Sequence, residues 1–96
     1  MPAYIILQET ISDADRYREY LTAVGPLLKQ HGAKAIVRFP EVDVLEGHPH
    51  DGRRLLILEC PSMEAIHAFW NSPEYASVKK LRDGAAELEI WAVTGV

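Results

Sequence analysis

The sequence predicts an α+β fold in which one four-stranded antiparallel sheet carries its helices on one face. Segments rich in β-branched and aromatic residues alternate with segments whose apolar residues recur at helical spacing. Their order along the chain is strand, helix, strand, strand, helix pair, strand. The chain has 96 residues, of which 48% are hydrophobic and 25% are charged. This is an ordinary globular composition, and we expect a single domain over residues 1–96.

The first third of the chain predicts a strand followed by a long helix. Ala3–Gln8 is apolar and aromatic, as expected for a strand. Ser12 is a favourable N-cap for the helix, and Gly32 can adopt the left-handed conformation that commonly follows a helix. Gly25 and Pro26 fall inside this span. Because proline has no backbone N–H, we expect it to kink the helix or to split it in two.

The middle of the chain predicts further extended structure. Ala33–Phe39 has strand character, and after Pro40 the segment Glu41–Gly47 is expected to resume it as a continuation or an edge piece. Glycine, proline and an Asp-Gly pair mark Gly47–Gly52 as a turn or loop. Arg53–Cys60 is the most apolar strand, and we therefore expect it near the centre of the sheet.

The last third predicts two short helices and a final strand. Ser62 is expected to cap the first helix, and Asn71 to end it. Ser72 is expected to cap the second helix, with Pro73 at its first position. The alternating segment Glu87–Thr94 gives the last strand. Two βαβ halves with both helical layers on one side of the sheet form a ferredoxin-like sandwich.

Both faces of this sheet are apolar near its centre. In the most apolar strand, Leu56 and Leu58 point to one face, and Leu55 and Ile57 point to the other. The helices suffice to cover one face, so the other leaves a contiguous apolar patch of the kind that marks an interface. Burying about five or six such side chains contributes about 1.5–3 kcal/mol each. We therefore expect a two-fold homodimer that packs open sheet face against open sheet face.

Several short motifs together resemble one known family. They are "VRF", "VDVLEG", "LLILE" and "FWNSPEY". The most specific pieces are "LEG" at Leu45–Gly47 and "SPEY" at Ser72–Tyr75, with Arg82 downstream. On these motifs, over nearly its whole length, the chain resembles the uncharacterised bacterial family called domain of unknown function 1330. That family resembles the dimeric α+β-barrel group, in which two ferredoxin-like sheets pair into one barrel, and the resemblance implies the same homodimer.

The resemblance leaves the function open. The wider group includes cofactor-free monooxygenases, isomerases, haem-dependent enzymes and ligand-sensing domains, and one fold supports many functions. The chain also departs from the family pattern at Trp70, where tyrosine is frequent. Since this change enlarges an aromatic side chain near any pocket, ligand size is not carried over from the family.

Composition and motifs argue against several classes of function. The net charge of −4 does not suit a binder of nucleic-acid backbones, which requires a basic face. The apolar runs are too short for a membrane span, and the start of the chain has no signal-peptide pattern. We therefore expect no nucleic-acid or membrane partner and a cytoplasmic location. Cys60 is the only cysteine and no phosphate-cradling or dinucleotide motif is present, so we expect no cofactor.

The segment that most resembles a metal site is "HPH" at His48–His50. It supplies two ligands, whereas metal sites need three or four together with supporting groups. No acidic or histidine partner is evident at a matching spacing. We therefore interpret the motif as a pair of solvated histidines and predict no metal site.

Three aromatic residues are predicted to wall a pocket between the sheet and the helices: Tyr20, Trp70 and Tyr75. Arg82 follows Tyr75 by seven residues, or two helical turns, so both side chains can lie on one helix face. Two roles for Arg82 stay open. It can bind a ligand carboxylate bidentately, or it can anchor its helix to the loop near Glu46.

Three more charged residues are candidates for binding a ligand. Glu59 follows Leu55 and Ile57 on one face of its strand, where a carboxylate must be paired, be hydrogen-bonded or reach solvent. Arg38 and Glu46 lie on either side of the proline interruption. They can pair with each other, or they can offer a cation and a carboxylate to the pocket. No catalytic residue is identified.

Two classes of function stay open. The first is a protein that binds a small apolar or acidic molecule in the pocket between sheet and helices, including a cofactor-independent isomerase or oxygenase. The second is a non-catalytic dimeric structural or interaction module, in which the same residues only pack and pair. A cavity between the sheet and the helices favours the first class, and aromatic side chains that fill this space favour the second.

Overall fold

The computed structural model describes residues 1–47 and 53–96. Within these ranges, strands and helices follow one another in the predicted order. The strands are β1 (Ala3–Ile11), β2 (Lys34–Arg38), β3 (Arg54–Cys60) and β4 (Ala86–Thr94). The helices are α1 (Ala14–Gln30), α2 (Met63–Trp70) and α3 (Pro73–Lys79), and a short 3-10 helix, Lys80–Arg82, follows α3. Most of the predicted loop Gly47–Gly52 lies outside the described residues.

The strands form one antiparallel sheet in the order β2-β3-β1-β4. In its middle, Leu7 of β1 lies opposite Leu56 of β3 on one side and opposite Ile90 of β4 on the other. The apolar strand β3 is an inner strand, as its sequence predicts. This is the ferredoxin-like α+β arrangement that the order of elements predicts.

The two faces of the sheet have different environments. Ile5, Leu58 and Cys60 are buried in one cluster with Ile66 of α2, on the face that the helices cover. The opposite face, which we call the open sheet face, carries Tyr4, Ile6, Leu55, Ile57, Trp91 and Val93. Trp91 and Val93 are 47% and 41% exposed. The second apolar surface predicted from the alternation is therefore present.

Serine and aspartate side chains fix the starts of the helices. Ser62 and Ser72 accept hydrogen bonds from the first turns of α2 and α3, as predicted. The cap of α1 is Asp13, which accepts a bond of 3.1 Å from the first turn of that helix, so the prediction of Ser12 is wrong. The Ser12 hydroxyl instead donates to the Ala85 carbonyl at 3.1 Å, which ties the start of α1 to the start of β4.

The long helix α1 passes through Pro26 as one element and is not split in two. A residue before proline normally resists helical geometry, because its Cβ meets the proline ring. Gly25 has no Cβ, which removes this obstacle. α1 has 17 residues, and no helix in the described ranges is both long enough and apolar enough to cross a membrane.

The predicted extended segment Glu41–Gly47 forms no strand. β2 ends at Arg38, although the Phe39 N–H still donates to the Leu55 carbonyl at 2.8 Å. Phe39 has a φ of 49°, in the left-handed region, which turns the chain away from the sheet. Pro40 then has no N–H with which to resume the ladder. The interruption therefore ends the strand, and the predicted continuation is wrong.

Gly32 follows α1 with a φ of 79°, and a Cβ built there lies 2.8 Å from Cγ of Pro61. We predict that Gly32→Ala lowers the free energy of unfolding more than Gly84→Ala does. Gly84 also has a positive φ of 75°, but a Cβ there meets only Arg16 Nη1 at 3.8 Å. Strain of about 1–2 kcal/mol is common to both, and crowding adds about 1 kcal/mol or more at Gly32. Urea unfolding measures the difference, and equal losses would contradict it.

Candidate functional site

A cavity of about 50 Å³ lies between the helices and the covered face of the sheet. It has room for a few water-sized spheres. Its sheet side is aliphatic, and its helix side is largely aromatic. Ile5 and Leu7 lie on the sheet side, and Tyr17, Tyr20, Trp70 and Tyr75 lie on the helix side.

Local sequence features bring the aromatic rings to this cavity. Tyr17 and Tyr20 are three residues apart on α1, so both lie on its inward face. Trp70 is the last residue of α2. Ser72 caps α3 immediately afterwards, which places Tyr75 in the first turn of the new helix. The joint between α2 and α3 therefore presents two large rings side by side.

The aromatic rings pack against one another as well as against the cavity. The ring centroid of Tyr75 lies 4.4 Å from that of Phe69 and 5.3 Å from that of Trp70. Tyr17 and Tyr20 stack with their centroids 5.4 Å apart. Aromatic pairs at such distances stabilise each other's orientation. The helix side of the cavity is therefore a wall of mutually supported rings, which we call the aromatic wall.

Two tyrosine hydroxyls and one arginine form a polar group beside the aromatic wall. The hydroxyls of Tyr20 and Tyr75 are hydrogen-bonded at 3.0 Å. The guanidinium carbon of Arg82 lies 5.6 Å from the centroid of the Tyr20 ring, which is a cation–π distance. Nε of Arg82 is buried and has no hydrogen-bond partner among the described residues. A buried donor without a partner is rare in folded proteins, and a ligand oxygen is one way to satisfy it.

Glu9 is a buried carboxylate that the sequence-based predictions miss. It is 1% exposed. The Tyr17 hydroxyl donates to its Oε2 at 2.6 Å, and its Oε1 has no partner in the described part of the chain. The predicted strand ends at Gln8, whereas β1 continues for three more residues. The alternation through Ile5 and Leu7 extends to Glu9, and this signal could have placed its side chain inward.

Burial changes the acidity of two of these tyrosines. Burial is the largest cause that raises the pKa of Tyr17, and its hydrogen bond to Glu9 raises it further. Burial likewise raises the pKa of Tyr20, as does the neighbouring Tyr75, while Arg82 acts in the opposite direction. Both hydroxyls therefore keep their protons well above the usual tyrosine range of about 10.

Four of the predicted ligand-binding residues do not line the cavity: Arg38, Glu46, Glu59 and Arg82. Of these, Arg82 lies beside the aromatic wall, over the Tyr20 ring. Glu59 lies on the open sheet face, where its carboxylate is 3.8 Å from Nζ of Lys34. Arg38 and Glu46 are exposed, and no ion pair joins them within the described residues. The motif His48–His50 lies outside those residues, and among the rest no three His, Cys, Asp or Glu side chains are grouped to hold a metal ion.

The sheet order and the single helical layer define the class of protein. It is an α+β protein with the ferredoxin-like fold. Its family follows from the sequence, since the model of the family described as "Domain of unknown function (DUF1330)" matches residues 2–96. The chain belongs to this family, as its motifs predict. No curated protein matches it.

Solved structures from several organisms share this fold. A protein of unknown function from Rhodopseudomonas palustris has 19% sequence identity and a TM-score of 0.79, over 99% of this chain and 82% of that one. SnoaB, a cofactor-independent oxygenase from Streptomyces nogalater, has 9% identity and a TM-score of 0.67, over 99% and 93%. A dimeric protein of unknown function from Bacteroides fragilis has 14% identity and a TM-score of 0.62, over 98% and 96%. At these identities the likeness shows the fold alone.

The buried hydroxyls predict how stability changes in alkali. In the unfolded chain, tyrosines lose their protons near pH 10, whereas the pKa values of Tyr17 and Tyr20 are raised in the folded chain. Above about pH 10, the unfolded state therefore binds fewer protons than the folded state. The stability contributed by these protonated hydroxyls is complete below about pH 10 and is lost as the pH rises further.

Tyr17→Phe removes one of these two groups and tests the prediction. We expect the free energy of unfolding to fall less steeply with pH above about pH 10 in this variant than in the wild type. The slope is the readout, because the variant also loses its hydrogen bond to Glu9 and starts from a lower stability. Denaturant unfolding at a series of alkaline pH values gives both slopes, and identical slopes would refute the raised pKa of Tyr17.

Proposed function

We propose that the protein binds a small, mainly apolar molecule in the cavity between its helices and its sheet. The observation that carries this proposal is the cavity with its aromatic wall, beside which a buried arginine N–H has no partner among the described residues. An apolar space with a few convergent polar groups is the usual form of a small-molecule site.

The polar group beside the aromatic wall favours a ligand with an acidic or oxygen-rich end. Arg82 brings a positive charge, and its Nε can donate to a carboxylate or enolate oxygen. The paired hydroxyls of Tyr20 and Tyr75 can turn toward the same oxygen. Trp70 and its neighbours suit a flat apolar body. We therefore assign the ligand to the class of small apolar or acidic molecules.

We further infer that the protein acts as a cofactor-independent enzyme of the isomerase or oxygenase type. One support is that SnoaB, which shares the fold, is described as a cofactor-independent oxygenase. A second support is the hydroxyl of Tyr17, which belongs to a residue that lines the cavity and is bonded to a buried carboxylate. Proton transfer of the kind that isomerisation requires needs only positioned side chains.

One observation favours the alternative, a non-catalytic dimeric module. The cavity volume of about 50 Å³ is much less than the ~300–1,000 Å³ of typical sites for drug-sized ligands. In this alternative the aromatic rings only fill the core, and Arg82 only supports Tyr20. A ligand screen separates the two functions.

We also propose that two copies of the chain associate through the open sheet face. That face presents an apolar surface with Trp91 and Val93 exposed. Two ion pairs lie on the same face, Lys34 with Glu59 and Arg53 with Glu89. An apolar patch flanked by charged groups is typical of a protein interface. The structure from Bacteroides fragilis, which shares the fold, is described as dimeric.

A thermal-shift screen tests the binding proposal with small aromatic and aliphatic carboxylic acids and their amides. We expect at least one acid to raise the Tm of the wild-type protein, by about 10 °C at a hundredfold excess over Kd. Arg82→Ala should abolish this shift, because it removes the charge and the Nε donor. Lys80→Ala is the matched control, since Lys80 lies in the same 3-10 helix and is exposed. No shift with any compound would favour the non-catalytic module.

Light scattering at micromolar concentration tests the proposed homodimer. We expect the wild-type protein to have twice the mass of one chain. Trp91→Glu should yield monomers, because it puts a carboxylate into the apolar surface that the dimer would bury. Ala76→Glu adds the same charge to an exposed position of α3 and should leave the dimer intact. A wild-type protein with the mass of a single chain would refute the proposal.

A further inference from the structure

The buried carboxylate behind the cavity carries a further inference, which rests on the proposed function. We propose that Glu9 and Tyr17 form a proton relay, in which Tyr17 takes a proton from the bound ligand and passes its own proton to Glu9. The ligand is then a weak acid. It carries either a dissociable hydroxyl group or a C–H bond next to a carbonyl group.

The geometry of the two side chains suits a relay. Tyr17 lines the cavity, whereas Glu9 does not. The Tyr17 hydroxyl donates to Oε2 of Glu9 at 2.6 Å, a length typical of an O–H···O bond to a carboxylate. Because its hydrogen is directed at Glu9, the Tyr17 oxygen keeps its lone pairs for another donor. Tyr17 therefore connects the cavity to a proton acceptor that has almost no exposure of its own.

Packing alone does not explain a carboxylate at this position. Within the described ranges, no cation forms an ion pair with Glu9. Arg54 lies opposite Glu9 in the sheet, but its guanidinium carbon is 5.0 Å from the centroid of the Phe39 ring. Oε1 of Glu9 has no hydrogen-bond partner there either. A buried carboxylate with so few partners is costly, and a role in proton transfer gives a reason for it.

The relay moves one proton and conserves the electrons of every partner. The O–H or C–H bond of the ligand breaks, and a new O–H bond forms at the Tyr17 oxygen. The original O–H bond of Tyr17 breaks, and a new one forms at Oε2 of Glu9. The ligand keeps the electron pair and becomes an oxyanion or an enolate, Glu9 becomes neutral, and Tyr17 is regenerated.

The polar group beside the aromatic wall can hold the resulting negative charge. The Tyr17 and Tyr20 rings are stacked, and Arg82 lies over the Tyr20 ring, so the cation is next to the rings that wall the cavity. A fixed cation and hydroxyl donors near a developing oxyanion stabilise it. Return of the proton to a different atom of the ligand isomerises it, and this step requires no oxidant, reductant or cofactor.

4-Nitrophenol tests the relay, because its phenolate absorbs visible light and its neutral form does not. The probe is titrated with wild-type protein at a pH at which the free compound is mostly neutral. We expect the bound probe to show the phenolate band, since Glu9 accepts its proton through Tyr17. The amplitude of the band at saturation gives the ionised fraction, and the titration curve gives the affinity.

Two variants interrupt the relay at different points. Glu9→Gln keeps the size and an acceptor oxygen but cannot take up the proton, and Tyr17→Phe keeps the ring but removes the connecting hydroxyl. We expect the ionised fraction of the bound probe to fall about tenfold or more in each. Both variants keep Arg82, so its charge is constant. Glu87→Gln, at an exposed position of β4, is the control and should keep the wild-type spectrum.

The outcomes separate the relay from the binding proposal. An undiminished phenolate band in Glu9→Gln would overturn the relay and would assign the ionisation to Arg82. Wild-type protein that leaves the probe neutral, or does not bind it, would also overturn the relay. The binding proposal is decided separately, by the thermal-shift screen with carboxylic acids. Circular dichroism of each variant establishes that it is folded, and one folded variant of the two is sufficient for the test.

Discussion

The alternation of side chains along β1 is the constraint on which the rest of the structure depends. β1 pairs with β3 on one edge and with β4 on the other, so its register is fixed twice. Ile5, Leu7 and Glu9 consequently face the helices, while Tyr4 and Ile6 face away from them. A slip of one residue would exchange the two sets and would expose the glutamate. The alternation of side chains along β1 therefore supplies residues both to the sheet side of the cavity and to the open sheet face.

Local patterns were sufficient to predict most of the fold. The two serine caps and the helical spacing of the tyrosines depend on neighbouring residues only, and they predicted α2, α3 and the inward face of α1. The limits of the strands depend on tertiary contacts instead. β1 extends past Gln8 because β4 pairs with it as far as Ile11. β2 stops where Phe39 takes a left-handed conformation, which no pattern in the segment signals.

The residues of the candidate site that lie on helices were predictable from the sequence, whereas those on strands were not. Helical periodicity and the joint between α2 and α3 place Trp70 and Tyr75 at the cavity, whereas Arg82 lies beside Tyr20 and does not line the cavity. The sequence pattern indicates Glu59 as an acidic candidate because it follows apolar residues in its strand, and it does not indicate Glu9. The partner that explains Glu59 is Lys34, its neighbour on the adjacent strand, and a single strand does not reveal its cross-strand pairs. To predict that the Glu9 side chain points inward, one must know that β1 continues past Gln8 to Ile11.

The order of the strands also affects how copies of the chain can associate. β2 and β4 are the edge strands of the sheet. β2 is short and has an irregular register, and β4 carries the exposed Glu87 and Glu89. These features discourage a further strand from pairing with either edge of the sheet. Pairing at an edge can repeat without limit, whereas contact through one face is complete when two copies meet. The edges of the sheet thus disfavour open-ended polymers, and the homodimer proposed through the open sheet face is a closed assembly.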